Sequence, residues 1–283
     1  MRRYLYYICA FFVMTVVAGC SKEGSASESS QNIGYATLSL GTDIQDGVST
    51  AQSRAIDGYF EIPSTLIPSA EDLTLILKGD YTDPEDGIEK EYYGEFANIA
   101  EFNASDGGEG VTLPAGDYTA TLSDGNDIDD EAETNSCFGG EVAFTLVARD
   151  NDAEVTIEVT LLNSIISLST TDYFDNYYTS VELTVTTASG TEITFDPKAD
   201  GNDDRLFFVK PNTTLTLKGS AIKTNGSEVT FSETLIGTTA PTTRSEIIVD
   251  ASLVGGLSVT YSLDDSVTQL PEQSFELNPA TNN

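Results

Sequence analysis

Across residues 34–263 the apolar side chains recur at every second position, a period that a half-buried strand requires and a helix cannot satisfy. Ala36/Leu38/Leu40, Leu73/Leu75/Leu77, Tyr118/Ala120/Leu122 and Val142/Phe144/Leu146 each place apolar groups on one face, with Thr, Ser or Glu among the residues between. A second series repeats the pattern in Val181/Leu183/Val185, Ile193/Phe195, Leu215/Leu217, Val229/Phe231, Ile247/Val249 and Val259/Tyr261/Leu263. Turn chemistry separates the runs. Asp86-Gly87, Asp106-Gly107-Gly108, Pro114-Ala115-Gly116-Asp117, Asp124-Gly125-Asn126, Ser189-Gly190, Asp200-Gly201-Asn202 and Asn225-Gly226 supply residues that accept a positive φ or preset a turn. Short alternating strands at this spacing predict an all-β chain of antiparallel sandwiches.

Between the two series the buried face changes side. Val155, Ile157, Val159 and Leu161 occupy odd positions, whereas Leu162, Ile166 and Leu168 occupy even ones. A bulge inside one sheet would do this, and so would a chain leaving one sandwich for the next. The place of the flip near the middle of 283 residues favours the junction, because a sandwich takes about 100 residues. The expectation is therefore two consecutive β-sandwiches over residues 34–160 and 161–265. A partly ordered C-terminal tail over 266–283 follows, with Pro271 and Pro279 and weak patterning around Ser274 to Leu277.

The N-terminus reads as an export signal. Arg2 and Arg3 precede the apolar run 5–17, and Val17-Ala18-Gly19-Cys20 closes it with small residues. A membrane span needs about 20 apolar residues, and the polar stretch after Cys20 contains no stop-transfer pattern, so residues 1–19 are assigned to a signal peptide. Residues 20–33, rich in Ser, Glu and Gly, read as a flexible tether. Val-Ala-Gly-Cys resembles the bacterial lipoprotein signal, whose cysteine is acylated and becomes the mature N-terminus. That resemblance implies lipidation of Cys20 and a membrane partner reached through N-terminal acyl chains. The alternative is an ordinary secretory signal with a chance cysteine.

Charge narrows the partners. The chain carries 46 acidic against 13 basic residues, a formal charge of −33. Nucleic acid is excluded, since phosphate binding needs clustered Lys and Arg. An anionic membrane surface would repel the chain, so acyl chains must supply the attachment, and more than one is needed for stable anchoring. Of the cysteines, Cys9 leaves with the signal and Cys20 is acylated, so Cys137 stands without an intrachain disulfide partner. It reads as a small buried hydrophobe, because no basic residue lies close in sequence to activate it.

Few sites for chemistry survive. The absence of histidine removes the Ser-His-Asp and Cys-His systems and the commonest zinc ligand. Carboxylate pairs could in principle hydrolyse glycosides, but with this many acids the pairs carry no information. Tyr92-Tyr93 and Tyr177-Tyr178 place neighbours on opposite strand faces rather than on one platform. The reading is a non-enzyme with no cofactor. The run Asp124, Asn126, Asp127, Asp129, Asp130, Glu131, Glu133 invites calcium. It fails the loop pattern, however: counted from Asp124 the fifth and sixth positions are Ile128 and Asp129, and from Asp127 the sixth is Ala132. No metal site is assigned, Asp124, Asp127 and Asp129 being weak candidates in a solvated acidic loop that binds calcium no better than millimolar.

Several segments taken in order carry a resemblance. Gly34-Tyr35-Ala36-Thr37-Leu38-Ser39-Leu40, Ser53-Arg54-Ala55, Leu113-Pro114-Ala115-Gly116-Asp117-Tyr118, residues 155–163 running into Ile165-Ile166-Ser167-Leu168, and Tyr173-Phe174 resemble a Bacteroidales lipoprotein domain. It is number four-four-nine-three of the domain-of-unknown-function families and is similar to fimbrillins and fimbrial anchor proteins. The resemblance covers about residues 34–263. The chain departs from it in the acidic insertion 124–134 and at Leu161 or Leu162, where the family frequently has a cysteine. What it implies is two transthyretin-like sandwiches in a lipid-anchored protein of the outer membrane, at the cell surface or, as the alternative, on the periplasmic face. The implied role is structural or adhesive, with other fimbrial subunits or host and microbial surface ligands as partners.

The same resemblance gives Arg54 a meaning. Fimbrillins lose their first strand by cleavage after an arginine, and the vacated groove accepts a strand from the next subunit. Here the cut would fall between Arg54 and Ala55, freeing residues 34–40 through the linker 46–53, with 275–277 as a donor segment. The alternative is that Arg54 is a loop residue in a solitary lipoprotein. Asp265-Ser266-Val267 resembles the short acceptor pattern for O-glycosylation on exported Bacteroidetes proteins, which marks Ser266. Two rivals stay open: a glycan-binding lipoprotein, which needs exposed aromatics converging on a groove, and a calcium-dependent adhesin using the loop after Ser123.

Overall fold

Two facing sheets in each half of the chain bury the alternating faces, and almost every described element is a strand. The structure is a computed structural model and describes residues 32–50, 59–107, 110–150, 152–198, 205–251, 257–262 and 273–277. The first half comprises β1 (Tyr35–Ile44), β2 (Gly47–Thr50), β3 (Tyr59–Glu61), β4 (Thr74–Thr82), β5 (Glu89–Phe96), α1 (Ile99–Ala104), β6 (Val111–Pro114), β7 (Gly116–Ser123), β8 (Phe138–Leu146) and β9 (Ala153–Leu161). The second comprises β10 (Ser164–Thr170), α2 (Asp172–Tyr177), β11 (Tyr178–Thr187), β12 (Glu192–Phe195), β13 (Phe207–Val209), β14 (Thr214–Lys223), β15 (Glu228–Thr238), β16 (Thr243–Ala251), β17 (Leu257–Ser262) and β18 (Gln273–Leu277).

In the first half the strand order is β5-β4-β7-β8-β9-β1-β6. The path folds back on itself where β8 meets β9, a pairing limited to Phe138↔Leu161 and Gly139↔Thr160. Leu38, Leu73, Leu75, Leu77, Ala120, Phe138, Ile157 and Val159 fill the space between the layers. The Asn98 side chain caps α1 by accepting from Glu101 N at 2.9 Å, and the buried Phe102 packs edge-on against Phe96 at 5.1 Å between ring centres. β1 is paired along both edges. It runs antiparallel to β6 from Tyr35 to Leu38 and parallel to β9 from Leu38 to Ile44. Beyond β6 the Asn103 side chain takes over, with Nδ2 donating to Leu40 O at 2.8 Å and Oδ1 accepting from Leu40 N at 3.0 Å.

The second half stacks β13-β10-β16-β17-β18 on β12-β11-β14-β15. Ile166, Leu168, Phe174, Leu183, Val185, Phe195, Leu217, Phe231, Ile247 and Val249 form its core. The change of parity falls at the step from β9 to β10: Ile157, Val159 and Leu161 belong to the first core, Ile166 and Leu168 to the second. Ile165 and Phe208 point back into the first core, so residues 163–168 are all buried.

Three features correct the reading of the sequence. The sheets are not purely antiparallel, because β1–β9, β10–β16 and β2–β16 are parallel pairs. The supposed linker 46–53 contains β2, which pairs with β3 and lies on β16 through Ser49↔Thr243 and Thr50↔Arg244. β17 covers β16 only from Glu246 onward, and β2 takes the ladder groups at its start that would otherwise lack partners. The supposed tail contributes β18, paired antiparallel with β17 from Leu257↔Leu277 to Tyr261↔Gln273. Such pairings join segments distant in sequence, and local patterning does not register them.

Candidate functional site

The acidic insertion after β7 is not solvated along its length; it is strapped onto the second half of the chain. Asp124 begins it by accepting from Phe138 N at 2.8 Å and from Asn126 N at 3.0 Å, which closes the turn. Burial raises the pKa of Asp124, and these hydrogen bonds only partly offset the effect. Asp127 accepts from Asp129 N at 2.9 Å, and Asp129 pairs with Lys210 at 2.8 Å. Glu131 is buried: its carboxylate accepts from Thr187 Oγ1 at 2.7 Å, from the Ser189 hydroxyl, and from Lys210 N at 3.2 Å. Burial raises its pKa, but the hydrogen bonds from Ser189, Thr187, Thr191 and Lys210 together outweigh that, leaving Glu131 below the ordinary glutamate value of 4.5.

Backbone pairing completes the strap. Ala132 and Phe208 exchange both hydrogen bonds, at 3.1 and 2.9 Å. Arg205 Nε donates to Glu133 at 2.8 Å while its guanidinium lies over the rings of Phe195 and Phe207. The loop thus faces Lys210, Arg205 and the hydroxyls of the second sandwich. Of its carboxylates, Asp129 and Glu133 pair with Lys210 and Arg205 while Asp124, Asp127 and Glu131 accept from backbone and hydroxyl donors, and among the described residues no group of three or more acidic or cysteine side chains is gathered to hold a metal ion. The period-two reading missed this because the strap's alternation is broken by Asx turns and its partners lie far along the chain.

A second feature lies on the outer face of β5-β4-β7-β8, where the sheet forms a shallow concavity of about 740 Å³. Register places Tyr93, Lys78, Thr119 and Ala143 in one row across the four strands and Glu91, Asp80, Asp117 and Thr145 in the next. Tyr93 is 62 % exposed. Its hydroxyl donates to Glu95 at 3.2 Å, and Lys78 Nζ stands 6.0 Å from its ring centre. Thr145 Oγ1 donates to Asp117 at 2.6 Å. Behind this face the sheet is stiffened by Tyr118, which stacks on Phe144 at 5.9 Å, meets Tyr92 edge-on at 5.9 Å and donates to Pro114 O at 2.9 Å. Gly79 makes room for that ring, since a Cβ there would come within 2.3 Å of it.

Of the remaining candidates, Cys20, Arg54, Ala55 and Ser266 lie outside the described residues. Cys137 is buried and its thiol is pushed up to about 11 by burial, which suits packing and not nucleophilic work. Among the described residues no helix is long and apolar enough to cross a membrane.

Fold and site together define a protein of tandem β-sandwiches joined by an acidic strap. The chain belongs to the family DUF4493, described as a domain of unknown function, whose model matches residues 50–279. Among solved structures it is similar to a fimbrial assembly protein from Parabacteroides distasonis, at 10% identity and a TM-score of 0.42, covering 81% of this chain and 95% of that one. It is also similar to a cell-adhesion candidate from Bacteroides ovatus, at 8% identity and a TM-score of 0.41, covering 82% and 98%. No curated protein matches the sequence.

Proposed function

We propose that this chain is a non-enzymatic component of the cell envelope, anchored in the outer membrane through acyl chains on Cys20 and exposed at the surface as a fimbria-like structural or adhesive module. Residues 34–160 and 161–265 act as its two domains, the strap holding them together. The observation that carries the reading is the seating of β1. It is the first described strand after the lipid signal, it is hydrogen-bonded on both edges, and it inserts the buried Ala36, Leu38 and Leu40 between the layers. A cut between Arg54 and Ala55 would release β1 together with β2, opening the edges of β6, β9 and β16 to a strand from another subunit. β18, which contains residues 275–277, is the segment suited to enter such a groove.

Two readouts test this in one experiment. Cys20→Ser is expected to move the protein from the membrane fraction to the soluble fraction. N-terminal sequencing of material sheared from wild-type cells is expected to find chains beginning at Ala55. Chains retained on the membrane after Cys20→Ser would overturn the anchor, and sheared chains beginning only at Cys20 would overturn strand exchange.

A further inference from the structure

The concave face of β5-β4-β7-β8 has a chemistry that the envelope reading does not use. Glu91, Asp80 and Asp117 stand side by side on three adjacent strands. Like charges placed directly opposite destabilise a sheet, and among the described residues no ion pair is formed with any of the three. Lys78, which shares the face, lies over the Tyr93 ring instead of pairing with them. The face therefore offers several acceptors, one ammonium donor, the hydroxyls of Thr119 and Thr145, and an exposed tyrosine ring, all held on a sheet braced from behind by the Tyr118 stack. Its volume of about 740 Å³ falls in the range of small-molecule sites, roughly 300–1,000 Å³.

The mixture of groups selects the ligand. Phosphate, sulfate or uronate would meet three carboxylates, and a polyamine would meet Lys78 at the centre. A molecule dense in hydroxyls can donate to the carboxylates, accept from Lys78 and lay a C–H face on Tyr93, satisfying each group without adding charge. We propose that this concavity binds one or two rings of a neutral glycan, with Tyr93 as the stacking platform, Asp80, Glu91 and Asp117 as acceptors and Lys78 as donor. The proposal rests on the envelope reading only in that surface exposure would bring the site to glycans.

The test uses full-length protein in a non-glycosidic detergent. Cellobiose, maltose, lactose and mannobiose are titrated by saturation-transfer NMR and calorimetry, with galacturonic acid and spermine as charged probes. At least one neutral disaccharide is expected to saturate. Tyr93→Ala should weaken it by about tenfold, Tyr93→Phe by less than about threefold, and Asp117→Asn by about fivefold, with the fold retained in each variant and the melting temperature of Asp117→Asn, which removes one of two opposed like charges, equal to or above that of wild type. Failure of every neutral sugar to saturate would overturn the proposal, as would binding indifferent to both Tyr93→Ala and Asp117→Asn, or binding of spermine alone. Membrane release by Cys20→Ser is read separately, so a negative sugar result leaves the anchor reading standing.

Discussion

Gly140→Ala is expected to destabilise the protein by about 3 kcal/mol, at the upper end of the cost of overpacking, and to lower its melting temperature by about 10 °C for a chain of this size. The reason is local and steric. At Gly140 the strand β8 leaves β9 to turn into the opposite layer, and a Cβ there would stand 1.9 Å from Glu158 O and 2.9 Å from Glu158 C. Neither obstacle is the free end of a side chain, so only a separation of the two backbones relieves the clash. That separation pulls Phe138 and Leu161, both buried, away from the first core. Gly41→Ala is the control, because its Cβ would meet only Thr156 Oγ1 at an ordinary 3.5 Å. Thermal melts of both variants decide the matter: since relief of glycine's backbone entropy alone stabilises, a loss in Gly41→Ala equal to that in Gly140→Ala would show that the cost does not come from the corner.

Glu131→Ala is expected to cost about 2 kcal/mol at neutral pH, since it leaves two hydroxyls and a backbone N–H without their charged acceptor. Glu131→Gln should cost roughly half as much, hydrogen bonds to a charged group being about twice as strong as neutral ones. The pH dependence follows from the depressed pKa. With the folded value below the unfolded one, the contribution is complete above about pH 4.5 and is lost as pH falls through the folded value. The stability gap between wild type and Glu131→Ala, measured by denaturant unfolding, should therefore narrow under acid. Asp124 works in the opposite direction, because burial raises its pKa and its charged form costs stability as pH rises through the ordinary carboxylate range. Hydrogen exchange supplies the second readout: amides over 124–134 should exchange faster in Glu131→Ala than in wild type. A gap that stays constant down to pH 3 would show that the carboxylate acts by shape and not by charge.

The strap also shows where a sequence reading stops. Asp124, Asp127 and Asp129 have the composition of a cation loop or of a solvated turn, and the spacing rule speaks against the first. It cannot distinguish the second from a docked segment, because Glu131 gains its meaning from Thr187, Ser189 and Lys210, more than fifty residues away along the chain. The concave face was half legible. Alternation in β5 sends Glu91, Tyr93 and Glu95 to one side and Tyr92 to the other, which follows from period two alone. That Tyr93 sits beside Lys78, and Glu91 beside Asp80, depends on the register set by the turn between β4 and β5.

The all-β class, the strand faces, most of the turns and the change of parity near Leu161 were determined by the sequence itself, because each rests on interactions within a few residues: pleat geometry, φ preference and the side on which an apolar group falls. The strongly acidic balance, −33, was equally legible there, since net charge needs no fold. Only the tertiary structure decided that β2 lies on β16, that β18 belongs to a sheet, that the acidic insertion is a strap and that three carboxylates and a tyrosine share one face. These are pairings of backbone ladders and buried polar groups across long separations, and their partners are chosen by which edges and hydroxyls the finished sandwiches leave unsatisfied.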